Sequence, residues 1–140
     1  MLLAAAAMWA IERMVRPVSI SLPYRTMIAA MIGMLGITVI VLGVVAFRSA
    51  KTTVNPLHPE RASALVAEGV YRVTRNPMYL GMLLVLIGWA IYLANVAGVV
   101  VLALFVAYMN RFQITPEERA LEVRFGSEFA DYRRRVRRWL

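Results

Sequence analysis

Residues 78–109 decide the fold, and they read MYLGMLLVLIGWAIYLANVAGVVVLALFVAYM. The stretch carries no charged residue and is too long for one membrane span, which needs roughly 20 apolar residues. Near its middle, Asn95-Val96-Ala97-Gly98 has the composition of a turn. The stretch therefore predicts a tight hairpin of two membrane helices, over about residues 78–94 and 96–109.

Two further apolar stretches precede this hairpin. Residues 26–47 carry no charge and predict another span. Residues 2–11 are also apolar, but Glu12 and Arg13 follow closely. They predict a short first span or half-span that ends at Pro17, and a signal-peptide core is the alternative. Three or four spans fit these stretches.

The composition agrees with a membrane protein. The chain has 140 residues, of which 61% are hydrophobic, and a mean hydropathy of +0.65. Ordinary soluble domains are roughly 45–50% apolar. Without cysteine there is no disulfide framework and no thiolate metal site, and the single His58 excludes a multi-histidine metal cluster. We expect no metal and one domain over residues 1–140.

The chain has a net charge of +8, and the positions of its basic residues indicate the topology. All but three of the Lys and Arg residues follow residue 47, and none lies in the turn at Asn95. The positive-inside rule then places residues 48–77 and the C-terminus in the cytoplasm. We expect an integral membrane protein of the bacterial inner membrane, whose basic residues meet anionic lipid. No nucleic-acid partner is expected, because no basic patch belongs to a soluble module.

The first polar segment, residues 48–77, leads into the hairpin. Its prolines predict a loop, with at most a short helical piece around residues 62–68, and Gly69 predicts a stop or a positive φ. Pro77 fits the first turn of the next helix. The free N–H groups of that turn, together with Arg72 and Arg75, suit a carboxylate or a phosphate. Anchoring at the membrane interface is the other interpretation of these arginines.

The second polar segment, residues 110–140, predicts a cytoplasmic amphipathic helix. Thr115 as N-cap, Pro116 at N1 and Glu118 at N3 form the pattern of a capping box. Gly126 predicts a break or bend. The apolar positions recur at helical spacing, namely Leu121, Phe125, Phe129, Tyr132 and Val136. The arginines of residues 133–138 with Trp139 fit a helix lying against an anionic leaflet, and a plain lipid anchor is the alternative.

Together the two polar segments resemble the isoprenylcysteine carboxyl methyltransferases, a family of membrane methyltransferases related to the phospholipid N-methyltransferases. The family pattern has Leu-Val-x-x-Gly-x-Tyr, then Arg-His-Pro-x-Tyr-x-Gly at the start of a helical hairpin, and an acidic pair after it. The resemblance covers about residues 50–138. The matching residues are Leu65, Val66, Gly69 and Tyr71, then Arg75, Pro77, Tyr79 and Gly81, then Glu117, Glu118, Leu121, Phe125, Gly126, Glu128, Tyr132 and Arg133.

The resemblance implies a methyltransferase that uses S-adenosyl-L-methionine without a Rossmann domain. In the family the cofactor lies between the loop before the hairpin and the helix after it. The methionyl carboxylate would suit the helix N-terminus, and the ammonium a carboxylate such as Glu117. Carried over, the cofactor-binding residues are Ala64, Leu65, Val66, Tyr71, Asn76, Pro77, Met78, Tyr79 and Glu117.

Two positions depart from the family pattern. Asn76 replaces a histidine, and it cannot titrate near neutral pH. Gln113 stands about where the family has an arginine near the substrate carboxylate. The methyl acceptor is therefore left open among a prenylcysteine carboxylate, a thiol and a lipid amine. Arg75, Arg111 and Gln113 are the candidates for orienting it, and no catalytic residue is assigned.

Two alternatives remain open from the sequence. Sterol reductases have a similar Arg-x-Pro-x-Tyr hairpin and bind NADPH, although they are usually longer. A non-catalytic membrane scaffold would bind neither nucleotide. The expected partners are the lipid bilayer and a small or lipid-like acceptor, and the oligomeric state is left open.

Overall fold

The computed structural model describes residues 1–14, 23–50, 64–94, 96 and 98–140. Within these ranges every regular element is helical and no strand occurs, so the prediction of an all-α chain is confirmed for them. Predictions for Pro17, His58 and the Asn95 side chain lie outside the described residues. The helices are α1 (Leu2–Met14), α2 (Arg25–Ser49), a 3₁₀ turn (Gly69–Arg72), α3 (Pro77–Leu93), α4 (Gly98–Tyr108), a π-helical segment (Met109–Ile114) and α5 (Thr115–Arg135).

In the part of the chain that the structure describes, two helices are long and apolar enough to cross a membrane. One is α2, and the other is the continuous helical run Gly98–Arg135, whose apolar part is α4 and the residues just after it. Helix α3 is apolar but shorter, with 17 residues. Helix α1 has 13 residues. The number of three to four spans therefore stays a prediction.

The predicted hairpin is present at the expected positions. Helix α3 begins at Pro77, whose fixed φ and missing N–H suit the first helical position. It ends at Leu93, and Ala94 adopts a positive φ of 53°. Helix α4 then begins at Gly98, where an added Cβ would meet the Ala90 side chain at 3.3 Å.

Small residues allow α2 and α3 to approach closely. A Cβ built on Gly36 would lie 2.6 Å from the carbonyl oxygen of Gly81, and one on Gly88 would lie 2.7 Å from that of Ala29. Further along, a Cβ on Gly43 would meet the Met78 side chain at 2.9 Å. Real Cβ atoms do not approach this closely, so a side chain at these positions would force the backbones apart.

The predicted capping box at Thr115 is wrong. The helix continues from α4 through the π-helical segment into α5, and Ile114 has ordinary helical angles. The Thr115 hydroxyl donates backward to the carbonyl oxygen of Asn110 at 2.6 Å. A capping side chain is needed only where N–H groups lack a preceding turn, and here that turn exists. Glu118 consequently has other partners.

The apolar stripe of α5 packs against protein. Gly126 bends the helix with a φ of 49° and a ψ of −118°, as predicted. Phe129, Tyr132 and Val136 form a buried cluster. Against this cluster pack the half-buried Leu65, Ala67, Leu121 and Phe125. The placement of α5 on a lipid surface stays a prediction.

The described residues form two compact units. The first comprises Met1–Thr38 and Gly81–Tyr108, and in it the Trp89 indole donates to the carbonyl oxygen of Ala5 at 3.2 Å. The second comprises Val39–Leu80 and Met109–Leu140. The assignment of residues 1–140 to one domain stays a prediction.

Candidate functional site

All the predicted site residues lie in the second compact unit. This unit brings the segment before α3 together with the start of α5, although the two are far apart in the sequence. The structure thus collects the candidates in one part of the molecule, while their roles in binding stay predictions. The residues collected are Ala64, Leu65, Val66, Tyr71, Arg75, Asn76, Pro77, Met78, Tyr79, Arg111, Gln113 and Glu117.

The segment before α3 is irregular and partly buried. Residues 64–68 are bends and irregular chain rather than helix, so the predicted helical piece around residues 62–68 is wrong for them. Residues 62 and 63 lie outside the described residues. Gly69 has a φ of 59°, which glycine adopts without steric cost, and this confirms the expected positive φ. Directly after it, the 3₁₀ turn buries Tyr71.

Tyr71 is held from two sides. The Tyr132 hydroxyl donates to its carbonyl oxygen at 2.8 Å. Its ring meets that of Phe47 edge-on, with 5.4 Å between the ring centroids. Burial, reinforced by the nearby Glu117 charge, raises the pKa of the Tyr71 phenol, which therefore stays protonated at neutral pH. Tyr71 offers an aromatic face and an uncharged hydroxyl.

Tyr79 and Glu117 join the start of α3 to the start of α5. The Tyr79 hydroxyl donates to Oε2 of Glu117 at 3.1 Å. Burial raises the pKa of Glu117 to about 7, against the lowering effect of this hydrogen bond, and repulsion from Glu118 adds to the rise. Within the described residues Glu117 forms no ion pair. A cationic ligand would supply the missing positive charge.

Both carboxylate oxygens of the neighbouring Glu118 have arginine partners. Its Oε1 lies 3.1 Å from Nη2 of Arg75, and its Oε2 lies 2.5 Å from Nη2 of Arg138. Since consecutive side chains on a helix point in different directions, the two acids serve different partners. The sequence did not reveal the Arg138 contact, because that pairing depends on the bend after α5.

Arg75 has unused donors. Its side chain is 10% exposed, and its Nε and Nη1 atoms have no hydrogen-bond partner among the described residues. Burial lowers the pKa of the guanidinium, while the Glu118 charge opposes the shift. Buried donors are rarely left unpaired. An anionic ligand group is the kind of partner that would satisfy them.

The other two substrate-orienting candidates lie on the π-helical segment. Arg111 is exposed and Gln113 is half-buried. π-Helical turns are rare and often occur at functional sites. The sequence did not predict this segment, because its residues are compatible with an ordinary helix.

A cavity of about 480 Å³ adjoins the segment before α3. One wall is the last turns of α2, with Leu42, Val45 and Ala46. The other wall is residues 65–70, which include the predicted contacts Leu65 and Val66. The contribution of α2 was missed, because the apolar sequence of this helix carries no polar signal.

Known proteins match this chain over a range that includes the candidate site residues. The phospholipid methyltransferase family model matches residues 24–128. A protein-S-isoprenylcysteine O-methyltransferase B of Arabidopsis thaliana is 31% identical over 108 residues, which are 72% of this chain and 55% of that protein. A probable protein-S-isoprenylcysteine O-methyltransferase of Oryza sativa subsp. indica is 33% identical over 68% of this chain and 50% of its own length.

The chain thus spans about half the length of these plant relatives. An uncharacterized protein of Haemophilus influenzae is 43% identical over 63 residues, which are 45% of this chain and its own entire length. No solved structure matches the chain significantly. The family match covers most of the chain, including the segment before α3, the hairpin and the start of α5. The chain therefore belongs to the phospholipid methyltransferase family, and its resemblance to the isoprenylcysteine carboxyl methyltransferases is confirmed.

Proposed function

We propose that this protein is a membrane methyltransferase that uses S-adenosyl-L-methionine as methyl donor and a small or lipophilic molecule as acceptor. One observation carries the proposal beyond family membership. Glu117 is a carboxylate held by Tyr79, without a cationic partner among the described residues, in the same compact unit as the unused donors of Arg75. Such a pair of opposite charges suits a zwitterionic ligand.

The donor set fits the methionyl part of S-adenosyl-L-methionine. Its ammonium would bind the Glu117 carboxylate, and its carboxylate would bind Nε and Nη1 of Arg75 or the free N–H groups at the start of α3. Tyr71 would offer its ring to the adenine or near the sulfonium. Of the other predicted contacts, Val66 and Pro77 are buried.

When bound, this cofactor supplies an already activated methyl group. The protein then has to orient the acceptor in line with that group and exclude water. The buried Tyr71 and the cluster around Phe129 keep this part of the molecule apolar. No side chain would have to form a covalent intermediate. The acceptor's electron pair would form the new bond to the methyl carbon as the methyl–sulfur bond broke, which would leave the cofactor as a neutral thioether.

The acceptor class is proposed from chemistry and from the relatives' names. A prenylcysteine carboxylate, a thiol and a lipid amine are the three candidates, and all three suit a chain with apolar helices. Arg111 and Gln113 are proposed to orient the acceptor, together with Arg75 if the cofactor carboxylate binds the N–H groups at the start of α3 instead of the Arg75 donors. With Asn76 in place of the family histidine, no imidazole is available at that position for proton transfer.

We further propose the inner membrane of a bacterium as the location, with residues 48–77 and 110–140 on the cytoplasmic side. The support is the charge distribution, since positive residues are retained on that side. S-Adenosyl-L-methionine is then available where the candidate site lies.

The test uses purified protein in detergent with labelled S-adenosyl-L-methionine. Prenylated cysteine, small thiols and phospholipids are offered in parallel, and NADPH binding is measured by calorimetry on the same sample. Label transfer to one acceptor class is expected, with Glu117→Gln as the impaired variant and Glu122→Gln as the exposed control. Binding of NADPH instead would favour a reductase, and binding of neither S-adenosyl-L-methionine nor NADPH would favour a scaffold.

A further inference from the structure

The segment Val136–Trp139 lies along the residues that lead into α3. The Arg75 backbone N–H donates to the carbonyl oxygen of Arg137 at 3.0 Å. The carbonyl oxygen of Arg138 accepts from Thr74 Oγ1 at 3.2 Å and from Asn76 Nδ2 at 2.9 Å. Three hydrogen bonds thus fix this segment to the approach of the hairpin.

The same segment also holds the start of α5. The Arg138 guanidinium donates from Nε to Oε1 of Glu118 at 3.2 Å and from Nη2 to Oε2 at 2.5 Å. This fork geometry is the strong form of a charge-assisted hydrogen bond. The Trp139 indole donates to Oδ1 of Asn110 at 3.0 Å. The segment is therefore tied to two parts of the chain at once.

These anchors adjoin the candidate cofactor residues. Asn76 and Arg75 come just before Pro77 and Tyr79, and Glu118 follows Glu117. Thr74, Asn76 and Glu118 are 1%, 9% and 8% exposed. A hydrogen bond lost there would leave a buried polar group without a partner, which costs free energy. The segment is thus bonded next to both chain regions that carry the Tyr79–Glu117 hydrogen bond.

We propose that Val136–Trp139 is a clamp, and that Asn76 and Arg138 are positioning residues that hold the Tyr79–Glu117 pair in the geometry that binds S-adenosyl-L-methionine. This inference rests on the proposed function. It assigns Asn76 a part other than the predicted cofactor contact, because its Nδ2 atom is already bonded to the clamp. The Asn76 amide donates this hydrogen bond without any change of protonation state.

The test compares three single variants of the full chain. Asn76→Asp has nearly the same size but presents oxygen in place of the donor that faces the Arg138 carbonyl. Arg138→Lys keeps the charge but loses the fork to Glu118. Arg135→Lys is the matched control, because Arg135 is exposed and its Nε donates to the carbonyl oxygen of Asp131 on the same helix.

Binding of labelled S-adenosyl-L-methionine is measured in detergent from about pH 5.5 to about pH 7.5, beside the melting temperature. We expect affinity to fall about tenfold in Asn76→Asp and several-fold in Arg138→Lys near neutral pH. Their pH profiles should flatten, since Glu117 no longer meets the ammonium. Arg135→Lys should match the wild type.

Four results would overturn the clamp. Wild-type affinity in both test variants would do so while leaving the proposed function intact. Weaker binding with an unchanged pH profile would show general destabilisation, and so would affinities that follow the melting temperatures. If the wild type binds no S-adenosyl-L-methionine, the proposed function fails, and the clamp's part in it fails too.

Discussion

The affinity for S-adenosyl-L-methionine should depend steeply on pH, with a midpoint set by Glu117. Its pKa is about 7, because burial outweighs the hydrogen bond from Tyr79. If the ammonium binds only the ionised form, the competent fraction falls from roughly 0.76 at pH 7.5 to roughly 0.03 at pH 5.5. The expected loss of affinity is about 25-fold, or roughly 1.9 kcal/mol.

An ordinary glutamate would behave differently. With an ordinary pKa of about 4.5, it stays almost fully ionised over the same range, and the expected change is only about 1.1-fold. Equilibrium binding of labelled cofactor in a nonionic detergent resolves this contrast. Glu117→Gln should bind weakly and without this pH dependence. Tyr79→Phe removes the bond that lowers the pKa, so its midpoint should move to higher pH.

The stability of the cofactor-free protein should also depend on pH, and the direction of the change follows from the pKa of Glu117. The folded pKa of Glu117 lies above its unfolded value, so the folded state binds the proton more tightly. This stabilisation is fully present below about pH 4.5 and is lost as the pH rises through about 7. Relative to Glu117→Gln, the wild type should therefore melt at progressively lower temperature over that range. A pH-independent wild-type affinity, or an unchanged affinity in Glu117→Gln, would refute the role given to this carboxylate.

Two further predictions concern the helices. Gly36→Ala should lower the free energy of unfolding by about 1–3 kcal/mol, because its Cβ would meet the Gly81 carbonyl oxygen at 2.6 Å. Gly33→Ala places its Cβ where nothing lies within 4 Å, so it should change the free energy of unfolding by no more than about 0.5 kcal/mol. Equal melting of the two variants would contradict close packing at Gly36. Because the chain lacks cysteine, Ser127→Cys and Val96→Cys can report topology: an impermeant maleimide should label Ser127→Cys in inside-out vesicles and Val96→Cys in spheroplasts, and the reverse pattern would overturn the orientation.

The helical framework was predictable, because length and apolarity act locally. The charge-free residues 26–47 lie within α2, and Pro77 begins α3 as its fixed φ suggests. Gly69 and Gly126 both adopt a positive φ. At these positions the residue type acts locally, since proline fixes φ and glycine permits a positive φ, so no knowledge of distant contacts was needed.

The capping box failed for a physical reason. Thr-Pro-Glu-Glu is a good helix start only if the chain before it is not already helical. The π-helical segment joins α4 to Thr115, so the threonine hydroxyl bonds the Asn110 carbonyl instead. Nothing local distinguishes these outcomes, because the choice depends on how α4 continues.

The two adjacent acids show what the sequence leaves open about the site. Glu117 and Glu118 are chemically equivalent and follow the same proline, yet their side chains leave the helix in different directions. Two guanidiniums, those of Arg75 and Arg138, neutralise Glu118, and neither is near it in the sequence. Glu117 receives one phenolic hydrogen bond and is left with a raised pKa. Their partners therefore separate the two acids: two guanidiniums neutralise Glu118, whereas Glu117 forms no ion pair among the described residues.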